Sequence, residues 1–252
     1  MTEDILYTVI VFAGTFLACI GLWIYGKKHP KTLDMDQKNL LATNFSFFAT
    51  LYTFFLGFAV VTLWGTYNDA DNNLTKESQR LQISYQMSYM LPNGEGLRTS
   101  IKDYLKFVIN DEWKQMLAGK SVAPSPPAYD RMWNELKQLK PANPSDNIYH
   151  IELINRMIEL SSCRHNRLDQ AEGHLYPLIW VLIYLGLFFS VLSFYYLKLE
   201  HNSADIYFIT STISIILFLI FLIYELDSPY SGWLHLQPDQ LLHALSRIEA
   251  TP

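Results

Sequence analysis

The segment Phe45–Trp64, FSFFATLYTFFLGFAVVTLW, contains no charged side chain. A helix rises about 1.5 Å per residue, so this segment would extend roughly 30 Å, the thickness of the hydrocarbon core of a bilayer. Three further segments are similarly long and lack Asp, Glu, Lys, Arg and His: Ile5–Tyr25, Leu175–Leu197 and Ile206–Tyr224. Buried helices of soluble proteins are rarely this long and this apolar. The sequence therefore predicts an all-α integral membrane protein with four transmembrane helices.

The hydrophilic residues are concentrated between the second and third spans. Their apolar side chains recur at helical spacing between Pro- and Gly-containing turns, which predicts a helical layer outside the membrane. Its longest helix is expected to pack through Ile151, Ile154, Ile158 and Leu168. We divide the chain into transmembrane helices 1 and 2 (1–65), a helical hydrophilic domain (66–174), transmembrane helices 3 and 4 (175–226), and a C-terminal turn with a short amphipathic helix (227–252).

The first span, Ile5–Tyr25, is predicted to be retained rather than cleaved. Its leader, Met-Thr-Glu-Asp, is acidic, whereas the leader of a signal peptide is basic. The two cysteines are Cys19 in this span and Cys163 in the hydrophilic domain. A pair in such different settings predicts neither a disulfide framework nor a redox motif.

Other functional classes find no support in the residue pattern. The net charge of −5 is modest and favours no nucleic-acid partner. The seven histidines are scattered without metal-ligand spacing, and no phosphate-binding or nucleophile motif occurs. We therefore expect no metal, no cofactor and no enzymatic activity. The spans also lack the ionisable side chains that pumps and ion-coupled transporters use, which favours a passive pore or a scaffold.

The second span carries a stripe of small and hydroxyl-bearing residues. They recur at steps of 4, 3 and 4 and so share one helix face: Ser46, Thr50, Thr53 and Gly57. This stripe is a candidate pore lining, with Phe55 and Phe58 as a hydrophobic constriction. The alternative is an ordinary contact face between helices, because small and hydroxyl-bearing residues also join helices in lipid.

Two further groups of residues are candidate structural motifs. Glu112, Trp113, Arg164 and Arg167 are expected to form ion pairs, either between subunits or within one domain. Asp227, Pro229 and Gly232 are expected to form a turn after the fourth span, because Asp accepts backbone N–H groups, Pro fixes φ and Gly tolerates positive φ.

Several of these pieces occur together in a known family. In chain order they are LYTFFLGFAVVTLW at Leu51–Trp64, Glu77 with Leu81, Glu112-Trp113 with Met116, RHNRL at Arg164–Leu168, Pro177 with Trp180, and DSPYSG at Asp227–Gly232. Together they resemble the bacterial bestrophin-like membrane proteins and, more distantly, the bestrophin channels. The segment Asp227–Gly232 is similar to the bestrophin Asn-Pro-Phe-Gly motif, with an extra Ser and with Tyr in place of Phe.

The resemblance implies a pentamer of four-span subunits in which the second span lines a pore. The expected protein is then a homo-oligomeric passive ion channel of the bacterial inner membrane, with lipid, an inorganic ion and further copies of itself as partners. The acidic calcium clasp of animal bestrophins is missing after Gly232, so calcium gating is not implied. The alternative function is a membrane-anchored scaffold or sensory module acting through residues 66–174.

The sequence contains opposing signals for which side of the membrane the hydrophilic domain lies on. Four lysines lie in Lys27–Thr43, and the N-terminal tail carries only acids. The positive-inside rule then places this loop in the cytoplasm, with both termini and residues 66–174 outside it. Four basic residues on the other side, among them Lys76 and Arg80, oppose this assignment. The resemblance to bestrophins also implies the opposite orientation, with the helical layer in the cytosol.

Overall fold

The computed structural model describes residues 34–120, 122–123, 125–172, 175–197 and 203–250, and these residues form helices without strands. The predicted first span, Ile5–Tyr25, lies outside this part of the chain. The elements in order are α1 (Met35–Met87), a 3₁₀ turn (Ser88–Met90), α2 (Glu95–Phe107), a π-helical turn (Val108–Glu112), α3 (Trp113–Leu117), α4 (Pro127–Gln138), α5 (Pro144–Ala171), α6 (Pro177–Leu197), α7 (Ser203–Asp227) and α8 (Asp239–Ala250).

Three of these helices, α1, α6 and α7, are long and apolar enough to cross a membrane. The described residues fall into two compact units. The first unit contains residues 34–65 and 175–227, and the second contains residues 66–172 and 228–250. Helix α1 therefore supplies residues to both units.

Helix α1 is longer than the second span alone. The expected loop Lys27–Thr43 is helical from Met35 onward. The Oδ1 atom of Asp34 accepts the N–H of Met35 at 2.8 Å, and Gln37 Oε1 accepts the N–H of Asp34 at 3.3 Å. These two side chains therefore satisfy two backbone donors at the helix start that have no partner within the helix. The helix then continues without a break to Met87.

The first unit is held by packing between α1 and α6. Tyr52 is buried, and its hydroxyl donates to the backbone oxygen of Ile183 at 2.8 Å. A Cβ atom at Gly186 would lie only 2.0 Å from the Tyr52 ring, so this approach requires glycine. The rings of Phe48 and Phe189 meet edge to face at 6.2 Å. Close contact at a small residue is a common way for helices to associate in lipid.

The second unit has a large apolar core of its own. Its buried members include Leu74 and Leu81 of α1, Leu97, Ile101 and Leu105 of α2, Met132 of α4, Leu153, Met157 and Leu160 of α5, and Leu241 and Ile248 of α8. Asn143 begins α5 by accepting the backbone N–H of Asp146 at 2.9 Å, as expected of an N-cap residue.

The buried face of α5 differs from the predicted one. Ile154 and Leu168 pack partly against the core, but Ile151 and Ile158 are exposed. The buried series instead includes Leu153, Leu160 and Arg167, and so contains a charged residue. The prediction assumed an apolar core face, and it was wrong because part of this face is buried through ion pairing.

Candidate functional site: a polar face on α1 and a buried charge cluster

The predicted polar stripe of α1 points away from the packing of the described residues. Ser46, Thr50, Thr53 and Gly57 are all exposed. The buried face of the same segment consists of Tyr52, Leu56, Ala59 and Leu63. At about 100° per residue, the two faces are roughly 120° apart on the helix. A Cβ atom added at Gly57 would touch nothing within 4 Å. Within the described residues, therefore, the stripe is not a helix–helix contact of this chain.

The two predicted constriction residues lie on different sides of α1. Phe58 is exposed and follows Gly57 directly, about 100° from it around the helix. Phe55 is half-buried and lies two residues after Thr53, about 160° from it and so nearly opposite. On a straight helix neither Phe shares the face of the stripe, but Phe58 lies closer to it than Phe55, which faces away from the stripe.

The second unit contains a buried charge cluster formed by Glu77, Glu112, Arg164 and Arg167. Arg167 is fully buried and binds the carboxylate of Glu77 through two nitrogens, Nε to Oε2 at 2.8 Å and Nη2 to Oε1 at 3.1 Å. The same Nη2 donates to Glu112 Oε1 at 2.5 Å. Arg167 thus joins α1 to the π-helical turn, and two parallel bonds to one carboxylate fix its orientation.

Arg164 completes the charge cluster one helical turn before Arg167. Its Nη2 donates to Glu112 Oε2 at 2.8 Å and to the backbone oxygen of Ala123 at 3.1 Å. Its guanidinium also lies 5.0 Å from the centre of the Tyr129 ring. The cluster holds two carboxylates and two guanidiniums, so its formal charge is zero. All these ion pairs form within one chain.

Burial of the cluster is tolerated because its charges are paired and hydrogen-bonded. Burial lowers the pKa of the Arg167 guanidinium, but the charges of Glu77 and Glu112 raise it by more, so this pKa lies well above its ordinary value. Tyr104 donates its hydroxyl to Glu77 Oε1 at 3.3 Å. Burial, followed by the charge of Glu77, holds the pKa of Tyr104 well above its ordinary value. Both groups therefore keep the protonation states that the cluster requires.

The π-helical turn sets the position of Glu112 and Trp113. A π turn inserts one residue into the helix and shifts the faces that follow it. Asp111 is exposed, whereas Glu112 and Trp113 are buried. The Trp113 ring meets Tyr230 edge to face at 5.6 Å. The turn thereby brings one residue into the charge cluster and the next against the segment after α7.

The segment Asp227–Gly232 contains the turn residues that the sequence singled out. Asp227 Oδ1 accepts the backbone N–H of Leu175 at 2.8 Å, which links the end of α7 to the start of the third span. The backbone oxygen of Pro229 accepts the N–H of Leu236 at 2.8 Å. Gly232 has φ of 80°, a conformation that glycine adopts without strain. Asp227 and Pro229 thus have hydrogen-bond partners, and Gly232 has the backbone conformation that the turn requires.

Sequence reasoning placed Glu112, Arg164 and Arg167 among the candidate structural residues, but it named Glu77 only as part of the family resemblance and gave Tyr104 no role. The available signal was the position of Glu77 between Leu74 and Leu81 on the apolar side of α1, at steps of 3 and 4. An acid on such a face needs a buried cation as its partner. The contact between Tyr52 and Gly186 was also missed, because no sequence spacing relates residues on two different helices.

A known protein family matches most of the chain. The bestrophin-like domain family matches residues 12–241. The chain belongs to the bestrophin-like family. No curated protein matches its sequence. The family assignment agrees with the resemblance seen in the sequence, and it identifies a membrane protein.

Solved structures share the fold at low sequence identity. A variant of a membrane protein has a TM-score of 0.68 and 14% identity, covering 97% of this chain and 96% of its own. A variant of a bacterial bestrophin homologue from Klebsiella pneumoniae has a TM-score of 0.64 and 14% identity, covering 98% of this chain and 97% of its own. Similarity over almost the full length of both chains shows a bestrophin-like fold.

Proposed function

We propose that this bestrophin-like protein is a homo-oligomeric passive ion channel in which residues 45–64 of α1 line the axis. The observation that carries the proposal is the exposed polar stripe of Ser46, Thr50, Thr53 and Gly57. In a span buried in lipid, a hydroxyl-rich face gains by contacting water or another protein surface. In the described part of the chain, packing uses a different face of α1, that of Tyr52, Leu56, Ala59 and Leu63.

Assembly follows from the small size of the membrane unit. Four spans in one subunit enclose no aqueous path, so a pore requires several copies around an axis. We propose five copies, with Ile5–Tyr25 as the first of four spans and residues 66–174 as the helical layer between spans two and three. Family membership supports this arrangement. Phe58 is the better constriction candidate of the two, because it lies about 100° from the stripe around α1, whereas Phe55 lies on nearly the opposite side.

Ion flux from reconstituted protein tests the proposal. We expect purified full-length protein in liposomes to release a trapped salt gradient when chromatography with light scattering shows a single oligomer. Thr53→Leu narrows and dehydrates the proposed pore face and is expected to reduce flux at least about tenfold, which corresponds to 1.4 kcal/mol in the barrier. Thr62→Leu is the matched control, since Thr62 lies on a different side of α1.

Two results would contradict the channel. One is the absence of flux from an oligomer whose size and symmetry are verified. The other is equal loss of flux in the Thr53→Leu and Thr62→Leu variants, because a pore formed by the stripe predicts an effect on one side of α1 only.

We also propose the sidedness that the lysine count indicates. The basic loop before α1 then lies in the cytoplasm, and residues 66–174 and the C-terminus lie outside it. A reporter fused after Pro252 tests this orientation. Alkaline phosphatase is expected to be active there and green fluorescent protein dark, since each folds on one side of the inner membrane only. The reverse pattern would place the helical layer in the cytosol.

A second candidate function is a protein-interaction module built on the hydrophilic domain. Large apolar side chains are exposed on one side of α5, at Ile148, Ile151 and Ile158. An apolar patch on a unit outside the membrane commonly marks an interaction site. The double variant Ile151→Glu/Ile158→Glu separates the two functions. If the oligomer and its flux survive while a bound partner is lost, the module is supported. If the oligomer dissociates, the patch belongs to the channel assembly.

A further inference from the structure

A cluster of cations and tyrosines surrounds the end of α1 in the second unit. Tyr85 is buried and Tyr89 is exposed, and their hydroxyl oxygens lie 3.2 Å apart. The guanidinium carbon of Arg98 lies 4.2 Å from the centre of the Tyr89 ring, and the Lys102 ammonium lies 5.2 Å from the centre of the Tyr85 ring. Arg98 and Lys102 are four residues apart on α2 and therefore share one face.

The two cations differ from the other half-buried basic side chains of this unit. Arg80 binds Glu159 at 2.8 Å, and Arg156 binds both Glu152 and Glu159. Arg98 and Lys102 are also half-buried, but in the described part of the chain neither has a carboxylate within ion-pair distance. Partial burial raises the cost of an uncompensated charge, so this pair of cations favours an anion from outside the chain.

The local backbone fixes the geometry of the cluster. Arg98 Nη1 donates to the backbone oxygen of Ser88 at 3.2 Å. A Cβ atom at Gly94 would lie 2.1 Å from that oxygen and 3.2 Å from Arg98 Nη1, so the turn before α2 packs closely against the 3₁₀ turn. One guanidinium nitrogen is therefore anchored, and the rest of the planar group keeps its donors for a ligand.

We propose that Arg98, Lys102 and the hydroxyl pair of Tyr85 and Tyr89 form a binding site for a phosphate-type oxyanion. A guanidinium offers parallel donors that match two phosphate oxygens, and an ammonium adds a compact charge beside it. The hydroxyls of Tyr85 and Tyr89 share one hydrogen bond with each other, so they add polar oxygens at the same place and no further charge. The ligand is either a free phosphate compound or the phosphate of a lipid headgroup, since both present the same oxygens.

The test uses full-length protein in detergent and inorganic phosphate as the probe. We expect phosphate to broaden in phosphorus NMR when protein is added. The Arg98→Gln/Lys102→Gln variant is expected to weaken the affinity at least about tenfold. Lys106→Gln is the control for the Lys102 half of this variant, because it removes one positive charge one turn further along α2, from a lysine already bound to Glu249 at 2.9 Å. The control is expected to retain the wild-type affinity.

A second arm tests the lipid source. Native mass spectrometry counts phosphatidylglycerol molecules retained by the wild type, the double variant and Lys106→Gln. Retention that depends on Arg98 and Lys102, without binding of free phosphate, supports the site with a lipid headgroup as its ligand. Arg98→Lys keeps the charge and is expected to bind more tightly than Arg98→Gln. Thermal unfolding of each variant verifies that it is folded.

The proposal is overturned if neither probe distinguishes the double variant from the wild type. It is also overturned if Lys106→Gln weakens binding as much as the double variant, because the effect would then reflect overall charge. Neither result would contradict the channel proposal, because both arms measure ligand binding and neither measures ion flux.

Discussion

The two units differ in how they bury their apolar side chains and in how they pair their polar and charged ones. The second unit encloses its own apolar core and neutralises its buried charges internally, as Arg167 does with Glu77 and Glu112. The first unit leaves large apolar side chains of α1 exposed, including Phe47, Phe54 and Phe58, together with the polar stripe. Lipid is expected to cover apolar side chains, but it offers no hydrogen bonds to hydroxyls. The contrast is what the proposed assembly predicts, in which lipid and other copies of the chain cover the membrane unit.

The largest expected effect comes from breaking the charge cluster. Arg167→Met leaves the Glu77 and Glu112 carboxylates buried without their shared cation, and such a loss typically costs about 3–5 kcal/mol. Chemical denaturation of the purified protein, monitored by a signal from the second unit, measures this loss in the free energy of unfolding. The control is Arg131→Met, because Arg131 and Asp103 pair at 3.2 Å on the surface. Exposed pairs contribute roughly 0–1 kcal/mol. Similar losses in both variants would contradict the buried, internally neutralised cluster.

The next effect tests the packing of the membrane unit. Gly186→Ala places a methyl group 2.0 Å from the Tyr52 ring, so the side chain must move or the helices must separate. Overpacking of this kind costs about 1–3 kcal/mol. Thermal stability in detergent is the measurement. Gly57→Ala is the control, since its methyl group meets no atom of this chain within 4 Å. If Gly186→Ala is neutral, α1 and α6 do not pack as described.

A smaller effect is expected at alkaline pH. The pKa of Tyr104 is raised in the folded protein by burial and by Glu77, whereas the unfolded phenol titrates near about 10. A raised pKa contributes stability that is present below pH ~10 and is lost as pH rises towards the folded value. One such proton changes the free energy of unfolding by at most about 1.4 kcal/mol per pH unit.

Measurement of unfolding between about pH 8 and 11 tests this effect, within the range where tyrosine titrates. Tyr104→Phe is expected to make the decline with pH less steep, while costing little at neutral pH because the lost hydrogen bond is long, at 3.3 Å. An unchanged slope would show that Tyr104 does not keep its raised pKa in solution.

Much of the architecture was accessible from the sequence. The uncharged segment around Phe55 and the helical period of residues 66–174 indicated an all-helical membrane protein, and the described residues are helical. The residues Glu112, Arg164 and Arg167 were named as pieces of the family resemblance and were expected to form ion pairs. The sequence could not predict that these three residues form one cluster with Glu77, because the cluster depends on how α1, α5 and the π turn pack.

The misses have identifiable physical causes. Ile151 and Ile158 of α5 were assigned to the core on hydrophobicity alone, but the core face includes Arg167, whose partners make its burial tolerable. Phe55 was grouped with the polar stripe although two residues rotate a helix by about 200°. The π turn at Val108–Glu112 was not predicted, because its residue types are the same as those of an ordinary α-helix.

The most direct test of the central claim is water access along α1 in the membrane. Single cysteines are introduced from Phe45 to Trp64 after Cys19 and Cys163 are replaced by serine, and the oligomer in liposomes is treated with a charged, water-soluble thiol reagent. We predict labelling at positions 46, 50, 53 and 57, and protection at the buried positions 52, 56 and 59. Protection of all four stripe positions in a verified oligomer would contradict an aqueous axis lined by α1.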